Sequence, residues 1–184
     1  MSLLDITVLG DPILRQETKL VTQVTDDIRR LIDNMFETMY VAKGIGLAAP
    51  QVGRTERLAV VDVDEKQIVL INPEITLAEG KARGEEGCLS IPDIYGEVDR
   101  ATRVIVRALD RDGKEFEVEG SDLLARCMQH EIDHLHGKLF IDYLSLLKKR
   151  GVMKKWEELK VKYPEFRRVL TPEEVAEHHN DEAL

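Results

Sequence analysis

The stretch Cys127-Met-Gln-His-Glu-Ile-Asp-His-Leu-His136 contains an H-E-x-x-H motif that begins at His130 and ends at His134. On an α-helix, residues four positions apart lie on the same face, one turn above each other. The spacing therefore directs the two imidazoles toward one point, where a metal ion can bind. Glu131 is displaced by one residue, so it can act on a water at that ion without being a ligand itself.

The residues that flank this motif predict a helix over residues 122–136. Gly120-Ser121-Asp122 offers an N-cap, and Gly137 is suited to follow the end of the helix. Between them, apolar residues and motif residues recur at helical spacing. The same short motif also arises by chance on ordinary core helices, so a metal site requires ligands from elsewhere in the chain.

Length and composition restrict the class of protein. The 184 residues suffice for a hydrophobic core, and we expect a single domain over residues 1–184. The formal net charge of −9 argues against a protein-wide nucleic-acid-binding surface, so no DNA partner is expected. The N-terminus lacks a signal-peptide pattern, no apolar run is long enough to span a membrane, and there are only two cysteines. We therefore expect a cytoplasmic protein with reduced thiols and no membrane partner.

Helices are predicted toward both ends of the chain. Residues 25–43 carry apolar side chains at i, i+3, i+4, i+7 spacing, with Thr25 as N-cap. A basic helix is predicted over residues 145–163, and residues 138–144 before it are predicted to be extended. Thr171-Pro172-Glu173-Glu174 is a capping box that opens a short last helix, in a polar tail whose final residues are expected to fray.

The middle of the chain is predicted to form strands. Its segments are rich in β-branched residues, and Asn72-Pro73 is expected to end one of them. A turn at residues 110–113 predicts an antiparallel hairpin directly ahead of the motif helix. The expected fold class is α+β, with antiparallel strands packed around a central helix that carries the motif. The predicted strands are residues 57–63, 67–71, 103–109 and 115–119.

A catalytic metal site needs a third protein ligand, which a carboxylate, another histidine or a cysteine can supply. His136 lies two residues beyond His134 and therefore points to a different face of the helix. Cys127 is seven residues from His134, which separates them by about 10.5 Å along the helix axis. Cys88, on a predicted loop over residues 84–92, has no such restriction. We therefore predict Cys88 as the third ligand and Cys127 as a packing residue behind the site.

Three motifs occur in a fixed order along the chain: G-I-G-L-A-A-P-Q at residues 44–51, E-G-C-L-S at 86–90 and Q-H-E-I-D-H at 129–134. Together they resemble the motifs of the peptide deformylase family, and the intervening segments are also similar to that family. The resemblance implies removal of the formyl group from the N-terminal formyl-methionine of new polypeptides, with release of formate. Nascent formyl-methionyl polypeptides are therefore the expected substrates.

The resemblance also implies a metal and a set of roles. Family members typically use Fe(2+), although Zn(2+) or another divalent ion fits the same ligands, and geometry alone would have suggested zinc. A lone glutamine is ordinarily a surface amide and residues 44–51 a flexible connector, so the role of Gln51 rests on the resemblance. By motif position the metal ligands are Cys88, His130 and His134, the general acid/base is Glu131, and the oxyanion donors are Gln51 and the backbone N–H of Leu89.

The glycine and alanine residues at 44–48 have small or no side chains, so another backbone can approach this segment closely. It suits a substrate peptide that docks as an added strand, with Ile45 and Gly46 as the expected contacts.

Residues 148–168 concentrate positive charge on an otherwise acidic chain. They hold nine Lys and Arg against three Glu, a net charge of +6, so the remaining residues carry −15. Such a patch can contact RNA phosphates, and we predict that it contacts the ribosome, where formyl-methionyl chains emerge. The alternative is an ordinary solvated helix face.

Two other functions compete with deformylation. An H-E-x-x-H metallopeptidase that cleaves internal peptide bonds usually takes Glu or His as its third ligand, whereas E-G-C-L-S favours a cysteine. A non-catalytic metal-binding module would close its site with four protein ligands, and the chain offers only three good candidates.

Overall fold

The computed structural model describes residues 2–181 of the chain, with side chains through residue 178. The helices in this part of the chain are α1 Asp26–Val41, α2 Asp122–Leu135, α3 Leu146–Leu159 and α4 Pro172–Asp181. The strands are β1 Ile6–Thr7, β2 Gly46–Ala48, β3 Leu58–Val63, β4 Lys66–Glu79, β5 Ala82–Cys88, β6 Ile91–Arg100, β7 Arg103–Leu109, β8 Glu115–Ser121 and β9 Arg167–Arg168.

Five of these strands form one antiparallel sheet in the order β2-β3-β4-β7-β8. Strands β5 and β6 form a separate hairpin, and β1 pairs with β9 from the far end of the chain. The predicted hairpin of residues 103–109 and 115–119 is confirmed as β7 and β8. Strand β2 lies at one edge of the five-stranded sheet, so its outer side has no partner strand among the described residues.

Strand β3 of the five-stranded sheet is buried on both faces. Along β3, Leu58 and Val60 belong to the core shared with α1, whereas Val61 and Val63 belong to the core shared with α2. Successive side chains of a strand point to opposite faces, which explains why β3 is apolar almost throughout. The expected α+β fold class, with the motif helix at its centre, is confirmed.

The predicted end of a strand at Asn72-Pro73 is wrong. Strand β4 continues to Glu79, with a register shift against β7 between Ile71 and Glu74. The bulge tolerates proline because the missing N–H falls where the ladder is already interrupted. The Asn72 side chain also holds the bulge by accepting from the Val21 N–H at 2.9 Å and donating to the Val21 carbonyl at 2.8 Å.

Two predictions after α2 also need correction. Residues 138–144 contain a 3-10 helix at Phe140–Tyr143, because the Asp142 carboxylate accepts from the Leu139 N–H at 3.0 Å and turns the chain. The basic helix ends at Leu159 rather than near residue 163, and a 3-10 turn at Lys160–Lys162 follows. The capping box at Thr171 and Glu174 is confirmed. The fraying predicted for residues 178–184 is wrong for residues 178–181, which belong to α4, and residues 182–184 lie outside the described residues.

No helix among residues 2–181 is both long enough and apolar enough to cross a membrane.

Candidate metal centre

Helix α2 and the β5–β6 hairpin bring three ligand-type side chains together. The Nε2 atoms of His130 and His134 lie 3.3 Å apart, and the Cys88 Sγ lies 3.3 Å from the His134 Nε2. All three ligand atoms fall within 4.8 Å of one another. A tetrahedral ion with metal–nitrogen bonds of about 2.0–2.1 Å places two nitrogens ~3.3 Å apart. The donor set therefore fits a divalent metal ion.

Cys88 lies at the end of a strand, so the prediction that residues 84–92 form a loop is wrong. Strand β5 runs to Cys88, and β6 begins at Ile91 after a tight turn with a register shift at Gly87. Ser90 is fully buried, and its carbonyl accepts from the Leu9 N–H at 2.9 Å. The thiol is thus presented by a paired hairpin tied to the N-terminal segment, which fixes its position better than a free loop would.

A buried carboxylate orients the first histidine. The Glu86 Oε1 lies 2.7 Å from the His130 Nδ1, and Arg100 donates two hydrogen bonds of 2.9 Å to the same carboxylate. Burial opposes ionisation of Glu86, yet hydrogen bonds from Arg100 and His130 lower its pKa to about 2. An ionised Glu86 accepts the Nδ1 proton and leaves the Nε2 lone pair of His130 directed at the metal position.

This supporting network extends beyond Glu86 and was missed by sequence reasoning. Arg126 donates to Glu86 at 2.8 Å, and Arg100 donates to Asp133 at 2.6 Å. Tyr143 donates to Asp133 at 2.7 Å. The position of Glu86, two residues before Cys88, could have predicted that it lies near the site. No sequence pattern connects Arg100 to α2.

Glu131 lies beside the three ligand atoms without joining them. Its side chain is buried, and its Oε2 has no hydrogen-bond partner among the described residues. Burial raises the pKa of Glu131 to about 7. Burying a polar oxygen without a hydrogen bond costs free energy. The Glu131 Oε2 is therefore suited to form its hydrogen bond with a reacting molecule. A Cβ at Gly46 would lie 2.5 Å from the Glu131 Oε1, so only glycine permits this approach of β2.

The other two candidate ligands lie outside this cluster. Cys127 is buried with its Sγ 3.5 Å from the Ile45 carbonyl, and burial raises the pKa of its thiol well above the usual value. His136 is turned away and contacts Glu17 at 2.6 Å between Nδ1 and Oε1. Among the described residues, the group that could hold an ion consists of Cys88, His130 and His134.

The residues predicted to contact substrate lie in the wall of the same cavity as Cys88 and His130. Gln51 is only 1% exposed, so the alternative of a surface amide is wrong for this glutamine. Its Nε2 donates to the Ser90 Oγ at 3.1 Å and lies 3.5 Å from the Cys88 Sγ, while its Oε1 accepts from the Ala48 N–H at 2.9 Å. The cavity wall also contains Ile45, Gly46 and Leu89.

The site combines two histidines on a buried helix, a thiol from a hairpin and a carboxyl group that is not a ligand. This combination is typical of a metal-dependent hydrolase. A family model described as polypeptide deformylase matches residues 3–150. The chain therefore belongs to the peptide deformylase family, which confirms the resemblance of its three motifs.

Similar proteins extend this match over most of the chain. The peptide deformylase of Alkalilimnicola ehrlichii is 56% identical over 163 residues, covering 86% of this chain and 92% of that protein. A crystal structure of a peptide deformylase from Legionella pneumophila is 48% identical with a TM-score of 0.83, covering 86% and 96% of the two chains. The peptide deformylase of Ehrlichia chaffeensis in complex with actinonin is 38% identical with a TM-score of 0.84, covering 89% and 99%.

Proposed function

We propose that this chain is a metal-dependent hydrolase that removes the formyl group from the N-terminal formyl-methionine of newly synthesised polypeptides and releases formate. The proposal is carried by the convergence of Cys88, His130 and His134 beside Glu131, whose buried Oε2 has no partner among the described residues. Membership of the peptide deformylase family and relatives of that name support the same reaction.

Peptide deformylases are metalloenzymes, and the Cys-His-His cluster is the candidate site in this chain. We propose one Fe(2+) per chain, held by Cys88, His130 and His134, because the motifs resemble a family that typically uses iron. Zn(2+) or another divalent ion suits the same thiolate and imidazole ligands. When bound, the ion would lower the pKa of a coordinated water and make hydroxide available near neutral pH.

Glu131 moves the proton in this mechanism. Its carboxylate accepts the proton of the attacking water and later donates it to the departing amine of the peptide. A pKa raised to about 7 by burial suits both steps, because a general acid/base works best near the operating pH.

Two donors stabilise the negative charge that develops on the formyl oxygen. They are the Nε2 of Gln51 and the backbone N–H of Leu89, which follows Cys88 directly. The Gln51 amide is held by Ala48 and Ser90, so it is oriented before substrate arrives. Losing one donor of this kind typically costs about 2.7–4 kcal/mol of transition-state stabilisation.

The substrate backbone docks along the edge of β2. This strand has no outer partner among the described residues, so an extended peptide can add to the sheet there. Ile45 and Gly46 lie where such a peptide passes the metal cluster, and both line the cavity.

We further propose that residues 1–184 form a single metallohydrolase domain that works in the cytoplasm and contacts the ribosome through its basic segment. The exposed faces of α3 support this contact. Arg150 and Lys154 are four residues apart, so they share a helix face, and neither has an acidic partner among the described residues. Arg168 is less available, because it pairs with Glu174 at 2.8 Å.

The test is to purify the protein anaerobically, measure its metal content and assay formate release from formyl-Met-Ala. We expect about one iron per chain and formate release, with no cleavage of a longer peptide whose N-terminus is acetylated. Zinc in place of iron would overturn the metal assignment alone. Cleavage of the acetylated peptide without formate release would overturn the function in favour of an internal metallopeptidase.

A further inference from the structure

The oxyanion donor proposed at Leu89 lies in the tight turn after Cys88, and the backbone of this turn is anchored at the next residue. The Ser90 carbonyl accepts from the Leu9 N–H at 2.9 Å. The Ser90 Oγ accepts from the Gln51 Nε2 at 3.1 Å. Hydrogen bonds thus hold one side of the turn, whereas the apolar Leu89 side chain can be fixed only by packing.

The Leu89 side chain packs against a small apolar core that includes a residue from the C-terminal end of the chain. The buried members of this core are Ile6, Val41, Ala42 and Leu170. The half-buried side chains of Leu89 and Val175 pack against it. A Cβ at Gly44 would lie 2.7 Å from the Leu89 Cδ1, so the backbone at Gly44 also approaches this side chain closely.

Leu170 belongs to the C-terminal segment, residues 167–178, which lies outside the family match at residues 3–150. Strand β9 at the start of this segment pairs antiparallel with β1, and helix α4 packs against α1. The Lys43 Nζ also contacts the Glu177 Oε2 at 2.7 Å. These contacts fix Leu170 relative to β1 and α1, so the segment can support a neighbouring side chain.

Consecutive backbone amides after β1 connect the C-terminal part of the chain with the Leu89 turn. The Val8 N–H donates to the carbonyl of Phe166, the residue before β9, at 2.9 Å. The next N–H, that of Leu9, donates to the Ser90 carbonyl. The turn is therefore linked to the C-terminal part of the chain through the backbone as well as through the apolar core.

We propose that Leu170 is a positioning residue for the oxyanion donor at Leu89. Through the shared core it restricts the Leu89 side chain and thereby the direction of the Leu89 N–H. Such a donor must be held within about 0.5 Å of its productive position, and a displacement of about 1 Å can lower a rate about 10²-fold. This inference rests on the proposed deformylase function.

The test is steady-state kinetics on formyl-Met-Ala with the full-length, metal-loaded Leu170→Ala variant. We expect kcat to fall about tenfold while KM stays within about twofold of the parent value, because an oxyanion donor acts on charge that develops only in the transition state. Leu170→Met fills most of the lost volume and should recover most of kcat. The metal content of both variants should equal that of the parent protein.

The matched control is Ile28→Ala. Ile28 is 7% exposed and Leu170 is 9% exposed, so the two side chains are buried to a similar degree. Ile28 lies near the opposite end of α1 from Val41, about 20 Å away along the helix axis. This variant should lose stability and keep the parent kcat.

Two further measurements identify the route through Leu89. In a Leu89→Ala background, the added change Leu170→Ala should lower kcat by less than about twofold, because the side chain that it supports is already missing. Amide hydrogen exchange over residues 86–91, which does not depend on activity, should accelerate in Leu170→Ala and not in Ile28→Ala.

The other outcomes separate the positioning role from the proposed function. An unchanged kcat in Leu170→Ala, or an equal fall in Ile28→Ala, would overturn the positioning role and leave deformylation intact. A full tenfold further loss in the Leu89→Ala background would do the same, since Leu170 would then act by another route.

If Leu170→Ala does not fold, Val175→Ala at the edge of the same core replaces it. A smaller fall in kcat at unchanged KM is then expected, and an unchanged kcat would overturn the positioning role. Failure of the parent protein to release formate would instead overturn the proposed function, and the inference with it.

Discussion

Helices α2 and α3 are both 14 residues long, yet they are used in opposite ways. Helix α2 buries eight of its residues between the sheet and the β5–β6 hairpin, including both histidines and Glu131. Helix α3 buries only Trp156 and exposes most of its charged side chains. The difference teaches that burial, rather than helix formation, decides which chemistry a helix can support.

Burial removes water from the polar groups of α2, so their neighbours decide their protonation. Desolvation raises the pKa of Glu131 on α2. The pKa of Glu86, on β5 beside α2, is lowered by the hydrogen bonds of Arg100 and His130 despite its burial. The charges on α3 remain hydrated, and their exposed ion pairs contribute little to stability. Such charges are better suited to long-range attraction of an anionic partner.

The largest expected effect concerns the two thiols near α2. We expect Cys88→Ala to lose bound metal and all measurable activity, because the site loses one of its three ligands. Cys127→Ala should retain the metal, because its Sγ packs against the Ile45 carbonyl outside the ligand cluster. Metal-to-protein ratios after desalting, together with formate release, check both variants. Metal loss in Cys127→Ala with retention in Cys88→Ala would reverse the assignment.

The next effect separates catalysis from metal binding on the same helix. Glu131→Gln keeps the shape of the side chain but cannot accept a proton, so we expect the rate of hydrolysis to fall by about 10²–10⁴. The metal content should stay close to that of the parent protein. If the variant also loses its metal, Glu131 is a ligand and the distinction between its role and that of the histidines is wrong.

A third substitution tests whether α3 depends on a single anchor. Trp156 is buried, donates to the Leu9 carbonyl at 3.2 Å and stacks on Tyr163. We expect Trp156→Ala to lower the free energy of unfolding by about 3–5 kcal/mol. The control is Leu147→Ala, at a side chain that is 80% exposed, with an expected change within about 0.5 kcal/mol.

Circular dichroism during urea denaturation is the suitable measurement for this pair, because Trp156 is the only tryptophan and its removal abolishes the tryptophan fluorescence. Equal losses in the two variants would show that α3 has no dominant anchor and that its attachment is spread over the helix surface.

The smallest expected effect lies on the exposed face of α3. Changing Arg150 and Lys154 to Glu should weaken ribosome binding and make its salt slope shallower by about two, one for each lost phosphate contact. Hydrolysis of free formyl-Met-Ala should continue at the parent rate. Ribosome affinity measured at two salt concentrations checks this, with Lys66→Glu/Lys114→Glu as a control of equal charge change. Unchanged affinity would leave the α3 face as ordinary solvated surface.

Sequence reasoning succeeded where the signal is local. The i, i+4 spacing of His130 and His134 predicts their shared face, and apolar periodicity predicts α1 within two residues at each end. Sequence reasoning failed where contacts with a distant segment stabilise a structure that the local residues disfavour. Asn72-Pro73 is a strand breaker by composition, but the Asn72 side chain bonds Val21, 51 residues away, and keeps the bulge within β4.

By itself, the sequence determined the helices, the main hairpin and the residue types available for metal chemistry, because these follow from spacing along a regular backbone. Only the tertiary structure decided that Gln51 is buried beside Cys88, that Glu86 and Arg100 support His130, and that residues near the C-terminal end, such as Val169, line the same cavity as Cys88. These features depend on which remote segments meet and on how much water they exclude, and neither quantity is encoded in a local pattern.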